Sequence, residues 1–383
     1  MNKKLLAVAV ASAMAAPLAA QADEGNVTIY GQANVSYDYI DAGNSSAGNK
    51  TSSNVSSNQS VFGIEGWEPL GNGLKAVFHW DVFAGVDDGS GFAGLNSSGA
   101  KTGTSFFGTS RDAWVGLAGS FGTVALGNQG RPWKTATNNT DIFINTIADY
   151  AGIIGTTTDH EIFEDSGFGN AIIWFGPNIN GLSWHVQYTP GEQFAGSGNN
   201  NGADVGAQVN YTNGPWRLTY AYDGANRGNE PGGDDGDNAR RITANKASVE
   251  YTFLGTTKIA FIYDRLRDDQ PSSAASTINR DAYYFNVAHD FGNNTAKFAY
   301  AHANESDAKN DGADYFAVGL YHHFSKRTEV YALYTRINND TNGEYGLSSG
   351  NASSASVGET NNASPANNGE DVGAFSIGMH HNF

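Results

Sequence analysis

Several groups of residues have the types that support covalent or metal chemistry, and in each case the spacing argues against it. Gly94 to Thr102 approaches a phosphate-binding loop, but Ala100 stands where a lysine should follow Gly99 and no helical pattern comes after it. Asp234, Asp235 and Asp237 place three carboxylates in a Gly-rich stretch, yet their spacing fits no EF-hand, and a solvated acidic loop accounts for them. The pairs His322-His323 and His380-His381 suggest a metal site. Adjacent residues on a strand project to opposite faces, so neither pair chelates from one side. No Gly-x-Ser-x-Gly elbow occurs, and no Ser and His can be assigned to one face of neighbouring strands for a hydrolase. Cysteine is absent, which excludes thiol catalysis, Cys-zinc sites and disulfides. No cofactor and no metal is expected. What is left is the chemistry of charge and polarity along a surface.

The chain opens as an export signal. Lys3 and Lys4 precede an apolar run from Leu5 to Ala16, Pro17 ends it, and Ala20-Gln21-Ala22 supplies small residues for cleavage. Residues 1–22 are therefore read as a cleaved signal peptide and 23–383 as one domain, since no linker-like shift in composition divides the remainder. Loss of the two lysines moves the formal charge from −17 to roughly −19. Such an acidic balance would repel phosphates and argues against nucleic acid as a partner; it serves either solubility of exposed loops or ion selectivity. Beyond Ala22 no apolar run reaches the length of a membrane-spanning helix, and the mean hydropathy is −0.41.

The elements that could carry a polar surface are strands. Trp184, Val186 and Tyr188 alternate with Ser183, His185 and Gln187. Trp216, Leu218, Tyr220 and Tyr222 alternate with Arg217, Thr219, Ala221 and Asp223, and Phe316, Val318 and Leu320 with Tyr315, Ala317, Gly319 and Tyr321. One face is apolar and aromatic, with aromatics gathered near segment ends, and the other is small or polar. That is the pattern of strands facing lipid on one side. Lipid offers the backbone no hydrogen bonds, so only a closed barrel tolerates strands there. Short turns at 68–73, 119–122, 178–181, 212–215, 254–256, 292–294 and 325–327 alternate with long Gly/Asn/Ser/Asp-rich loops at roughly 40–57, 84–109, 129–168, 190–202, 224–244, 267–279, 305–311 and 340–370. The fold class is all-β: an antiparallel transmembrane β-barrel of about 16 strands, with both termini on the short-turn side.

Particular stretches carry a family resemblance. Val27-Thr28-Ile29-Tyr30-Gly31, Leu70-Gly71-Asn72-Gly73-Leu74-Lys75-Ala76, Ala113-Trp114-Val115-Gly116-Leu117-Ala118-Gly119-Ser120-Phe121-Gly122, Pro177-Asn178-Ile179-Asn180-Gly181-Leu182 and the terminal Phe383, in that order, resemble the trimeric general-diffusion porins of Gram-negative bacteria. The resemblance implies an outer-membrane homotrimer, in contact with lipid and lipopolysaccharide, through which ions and small hydrophilic solutes diffuse passively. It also implies that Phe383 is the signal read by the barrel-assembly machinery. A cation bridging lipopolysaccharide would be a second use for the acidic loop at Asp234. A substrate-specific channel, a plugged adhesive barrel and an outer-membrane enzyme are the alternatives.

In the resembled family the third long loop folds into the lumen and places acids opposite arginines on the wall. The corresponding loop here carries Asp141, Asp149, Asp159, Glu161, Glu164 and Asp165. Asp141 and Asp149 lie mid-loop and are the candidates for the narrow zone; capping of a turn is the competing role. Cations usual in the family are missing at Val61, Glu65, Asn128 and Ile173. The pore-wall candidates are thus Glu65, Lys75, Asn128, Arg131 and Lys134, with Lys75 on the parity of His79 and Asp81. Arg217, Lys258 and Lys297 join them by alternation. Fewer wall cations and a retained acidic loop predict a lumen that prefers cations or neutral solutes. Trp133 and Trp174 would form either a solute track or loop packing and a lipid-interface girdle.

Overall fold

The computed structural model describes residues 25–45, 48–87, 107–155, 168–190, 203–227, 240–268, 279–347 and 367–383. The expected signal peptide, the loop around Gly94–Thr102, the Asp234 cluster, and Asp159, Glu161, Glu164 and Asp165 lie outside them. The first half of the chain forms β1 (Asn26–Ser45), β2 (Gly48–Ser57), β3 (Val61–Gly71), β4 (Leu74–Ala84), β5 (Phe107–Gly119), β6 (Gly122–Gln129), β7 (Phe168–Phe175) and β8 (Leu182–Thr189). The second half forms β9 (Asp204–Asn213), β10 (Trp216–Arg227), β11 (Arg240–Phe253), β12 (Thr257–Asp268), β13 (Arg280–Phe291), β14 (Asn294–Ala303), β15 (Ala313–His323), β16 (Thr328–Asn339) and β17 (Val372–Asn382).

Each segment pairs antiparallel with its neighbours, and β1 pairs with β17 from Gln32↔Asn382 to Asp41↔Gly373, which closes the sheet. β3 pairs with the start of β1 and β2 with the remainder, so β2 and β3 are one strand broken at Asn58–Ser60, where Gln59 has a positive φ. The ring is a 16-stranded barrel. Closure leaves no sheet edge to lipid, as the apolar setting demands.

The short turns follow the sequence. Asn72 and Gly73, and Leu254 and Gly255, each take positive φ at both central positions, which matches the strand twist in a two-residue hairpin. One loop assignment is corrected. Residues 40–57 are mostly strand: β1 and β2 extend a tall ribbon of polar residues from Asp41↔Thr51 to Ser45↔Gly48. Backbone pairing there does not depend on an apolar face, so the polar composition mimics a loop. Along the outer surface, Ile29, Val115, Leu117 and Leu126 are exposed, while Asn34, Ser36 and Asp38 on the other face of β1 are buried inside the barrel.

Candidate pore constriction

The third loop leaves β6 at Gly130 and turns into the barrel through a short helix, α1 (Pro132–Thr135), with Pro132 at its first position. Trp133 is fully buried, and the Lys246 ammonium of β11 lies 3.6 Å from its ring centroid and 3.2 Å from the Tyr150 hydroxyl. At the far end, Gly155 (φ +79°) packs so tightly on the Trp133 ring that a Cβ would fall 2.4 Å from it. Between these points the barrel wall satisfies the loop backbone. Trp133 N donates to Asp223 (3.3 Å) and Gly155 N to Asp264 (3.1 Å). Carbonyl oxygens accept from Lys258 at Asn139 (2.8 Å), Asn286 at Thr140 (2.9 Å), Lys297 at Ile142 (2.8 Å) and Arg280 at Ile153 (2.6 Å). Tyr315 donates to Ala148 O, and Asn34 of β1 to Asn145 O. A buried loop must account for its polar backbone, and here β10–β15 and β1 do so.

Two expectations for this loop are corrected. Asp141 and Asp149 are 3 % and 4 % exposed and do not present their charge to the lumen. Asp141 Oδ1 accepts from Phe143 N (3.0 Å) and the Tyr284 hydroxyl (2.7 Å), and Oδ2 from Tyr150 N (3.3 Å). Asp149 accepts from Asn145 N (3.0 Å) and Ala151 N (2.9 Å). Capping of turns, the competing role, describes both. Burial pushes the Asp141 carboxyl above the usual carboxylate range. Arg131, at the loop root, is 1 % exposed and lies 3.9 Å from Asp204, whereas Lys134 in α1 is half-buried.

Away from these anchors the wall includes β3, β4 and β5. Glu65 and His79 face one another across β3 and β4, with the Glu65 side chain half exposed. Lys75 is exposed on the same parity, its ammonium 4.2 Å over the Trp67 ring. Asn128 is a further correction. It pairs with Ala113 and has the parity of outward-facing Leu126, and its side-chain amide donates to Arg111 O at 2.7 Å. That carbonyl is freed by a bulge in β5, because Trp80 pairs with Ala113 but Val82 with Ser110, leaving Arg111 and Asp112 together opposite Asp81. Val61 and Ile173 are buried apolar residues.

Sequence reasoning missed two clusters. Tyr30, His79, Asp81 and Asp112 converge on the inner wall, although only His79 and Asp81 share a strand. His323 and His380 approach the two oxygens of Glu329 at 3.0 and 3.4 Å from neighbouring strands. The opposite-face argument separates the members of each His pair but is silent on pairs across strands. Cross-strand register was the signal, and it requires knowing which turn positions set it.

The alternation, the closed ring of strands and the inward loop agree with what known proteins show. The description "Gram-negative porin" matches residues 7–342. The chain belongs to that family. Among relatives of this porin, the major outer membrane protein P.IB of Neisseria lactamica is 26 % identical over 341 residues, covering 86 % of this chain and 91 % of its own. Solved structures share the fold. The anion-selective porin from Comamonas acidovorans has a TM-score of 0.74 at 23 % identity, covering 94 % of this porin and all of its own chain. A trimer form of OmpT from Vibrio cholerae has a TM-score of 0.62 at 16 % identity, again covering 94 % and all of its own chain. In this porin Trp133 is loop packing, and Trp174 belongs to an outer girdle: it is exposed, donates to Phe121 O (2.9 Å) beside a short turn, and meets Trp184 edge-on. At the barrel's end Phe383 N donates to Gly31 O (3.0 Å), and Gly31 N donates to Phe383 O (3.3 Å).

Proposed function

We propose that this porin forms a water-filled passage through the Gram-negative outer membrane, by which ions and small hydrophilic solutes diffuse down their gradients without any covalent step. The observation that carries this reading is the loop running from Gly130 to Gly155, held against one side of the lumen by β10–β15, while Glu65 and Lys75 on the other side stay open to solvent. A loop bound to one wall narrows a barrel without plugging it. Liposome swelling with sugars of rising size tests it: swelling that falls off at a size cutoff is expected, and no swelling with the smallest sugar would replace the pore with a plugged barrel.

The passage prefers cations or neutral solutes. Lys246, Arg280 and Lys297 have their charges engaged in holding the loop, and Arg131 is buried beside Asp204, so these cations contribute little to the solvated lumen. Glu65 carries an accessible negative charge where the family usually has a cation. The Comamonas acidovorans porin is described as anion-selective; at 23 % identity that likeness supports the fold, and the preference here rests on the side chains named. Clear anion selectivity in a salt-gradient reversal potential would defeat it.

Residues 1–22 are removed on export, Phe383 is read by the barrel-assembly machinery, and the apolar exterior meets lipid, lipopolysaccharide and two further copies of the chain. The trimer form of the Vibrio cholerae relative supports the last of these. Pore residues by this reading are Glu65 and Lys75 at the open wall, with Asp141, Asp149, Arg131 and Lys134 setting the loop's position.

A further inference from the structure

We propose that His79, Asp81 and Asp112 form a binding site for a divalent first-row transition metal in the lumen wall, with Glu65 as its positioning residue. The inference rests on the open-pore reading for its access route and its electrical readout.

The three ligands come from one device. His79 and Asp81 are two apart on β4 and so share the inner face. The β5 bulge places Asp112 opposite Asp81 and frees its backbone N–H, which donates to Asp81 Oδ1 at 2.8 Å. Asp112 Oδ1 in turn accepts from Gly130 N at 2.8 Å. Asp112 is therefore oriented through one oxygen and retains the other, while Asp81 is oriented through Oδ1 and turns Oδ2 towards the Tyr30 hydroxyl at 3.3 Å. His79 Nε2 lies 3.6 Å from Asp81 Oδ2, and one ligand atom from each of the three residues falls within 4.8 Å of the others. Donors about 2.0–2.2 Å from a tetrahedral ion stand roughly 3.4 Å apart, so the pair already fits and Asp112 has a short way to move.

The surroundings of the imidazole also suit a ligand. Its other nitrogen, Nδ1, lies 3.4 Å from Glu65 Oε2. A carboxylate there holds the proton on Nδ1 and leaves the Nε2 lone pair for the metal, the usual arrangement behind a metal-bound histidine. The Trp114 ring stacks on His79 at 5.4 Å and 10°, fixing the ring plane. The Tyr30 hydroxyl, 2.9 Å from Nε2 and 3.3 Å from Asp81 Oδ2, sits between the two ligands; with the proton of the imidazole on Nδ1 it donates to Nε2, and it turns that proton away when an ion enters. Glu65, Asp81 and Asp112 bring three carboxylates here, and among the described residues Arg111 is the cation whose charge bears on Asp81 and Asp112. An imidazole among carboxylates selects zinc, nickel or copper over magnesium and calcium, which take oxygen alone. An ion held here would offset the negative wall and slow cation passage.

The test uses the full-length porin, in planar bilayers for conductance and in detergent micelles for calorimetry, with zinc chloride as probe and magnesium chloride as comparison. Zinc is expected to bind and to lower the conductance reversibly, with recovery on chelator addition and no such effect of magnesium at equal concentration. His79→Gln should weaken zinc binding by roughly tenfold or more and Glu65→Gln by about tenfold, while His289→Gln, on the outer face of β13, should leave it unchanged. Zinc affinity unchanged in His79→Gln, or zinc no better than magnesium, would overturn the site. Calorimetric zinc binding by a barrel that never conducts would remove the open pore and leave the site standing.

Discussion

Tyr284, on β13, donates its hydroxyl to Asp141 Oδ1 at 2.7 Å, and both side chains are buried between the third loop and the wall. Removing the donor leaves a buried carboxylate oxygen short of one partner, a loss of about 1–3 kcal/mol. Tyr284→Phe should therefore loosen loop docking rather than unfold the barrel, whose strands pair independently of it. The expected outcome is more frequent current fluctuation in single-channel records, with unchanged heat-modifiable mobility of the folded barrel.

The same pair sets a pH dependence. Burial raises the Asp141 carboxyl above its ordinary range, so docking favours the protonated acid. Its contribution is complete below the ordinary carboxylate pKa and is lost as pH rises through the raised value. Current fluctuation should increase from acid towards alkaline pH in the native channel. Asp141→Asn, which keeps an amide in the carboxyl's place, should flatten that part of the profile; an identical profile in the variant would remove Asp141 as its source.

Lys246 is a second anchor, its ammonium buried over Trp133 and beside Tyr150. A desolvated cation–π contact is worth on the order of 2 kcal/mol. Lys246→Met retains the stem and loses both the charge over Trp133 and the hydrogen bond to the Tyr150 hydroxyl. Protease cleavage within the third loop of the folded porin should become faster in this variant, with the rest of the barrel resistant.

The barrel was legible because its evidence is repeated: most strands carry the same alternation, and most short turns the same Gly/Asn chemistry. The exceptions have local causes. Residues 40–57 read as loop because a polar ribbon lacks the lipid-facing side chains that mark the other strands. Position in the resembled family points Asn128 at the lumen, whereas alternation from Leu126 puts it outside and the β5 bulge gives its amide a carbonyl to cap. Asp141 and Asp149 were visible as acids, but whether a loop acid faces water or its own backbone depends on the path of the chain, which no periodicity encodes.

Gly31 tests closure of the ring. A Cβ there would fall 2.4 Å from Val61 O and 2.5 Å from the Phe383 ring, so the residue that pairs with the terminal phenylalanine has no room for a side chain. Gly31→Val should cost about 1–3 kcal/mol by overpacking and lower the yield of heat-modifiable barrel. Phe383→Ala should lower the yield as well, through the lost assembly signal, and Gly31→Val combined with Phe383→Ala should recover part of the packing loss when refolded in detergent, where no assembly machinery acts.

Glu65 is where selectivity should respond most directly. Its carboxylate is half exposed on the open wall, and its immediate partner is His79. A unit charge acts on a passing ion 4 Å away with about 1 kcal/mol in water, a factor of roughly five in occupancy. Glu65→Gln should reduce the cation preference by up to that factor, and Glu65→Lys, which changes the charge by two units, should carry the reversal potential towards anions. Both shifts should shrink as salt rises and the Debye length falls below the width of the passage. A reversal potential insensitive to both substitutions at low salt would place the selectivity elsewhere, and Glu329, between His323 and His380, would be the next to substitute.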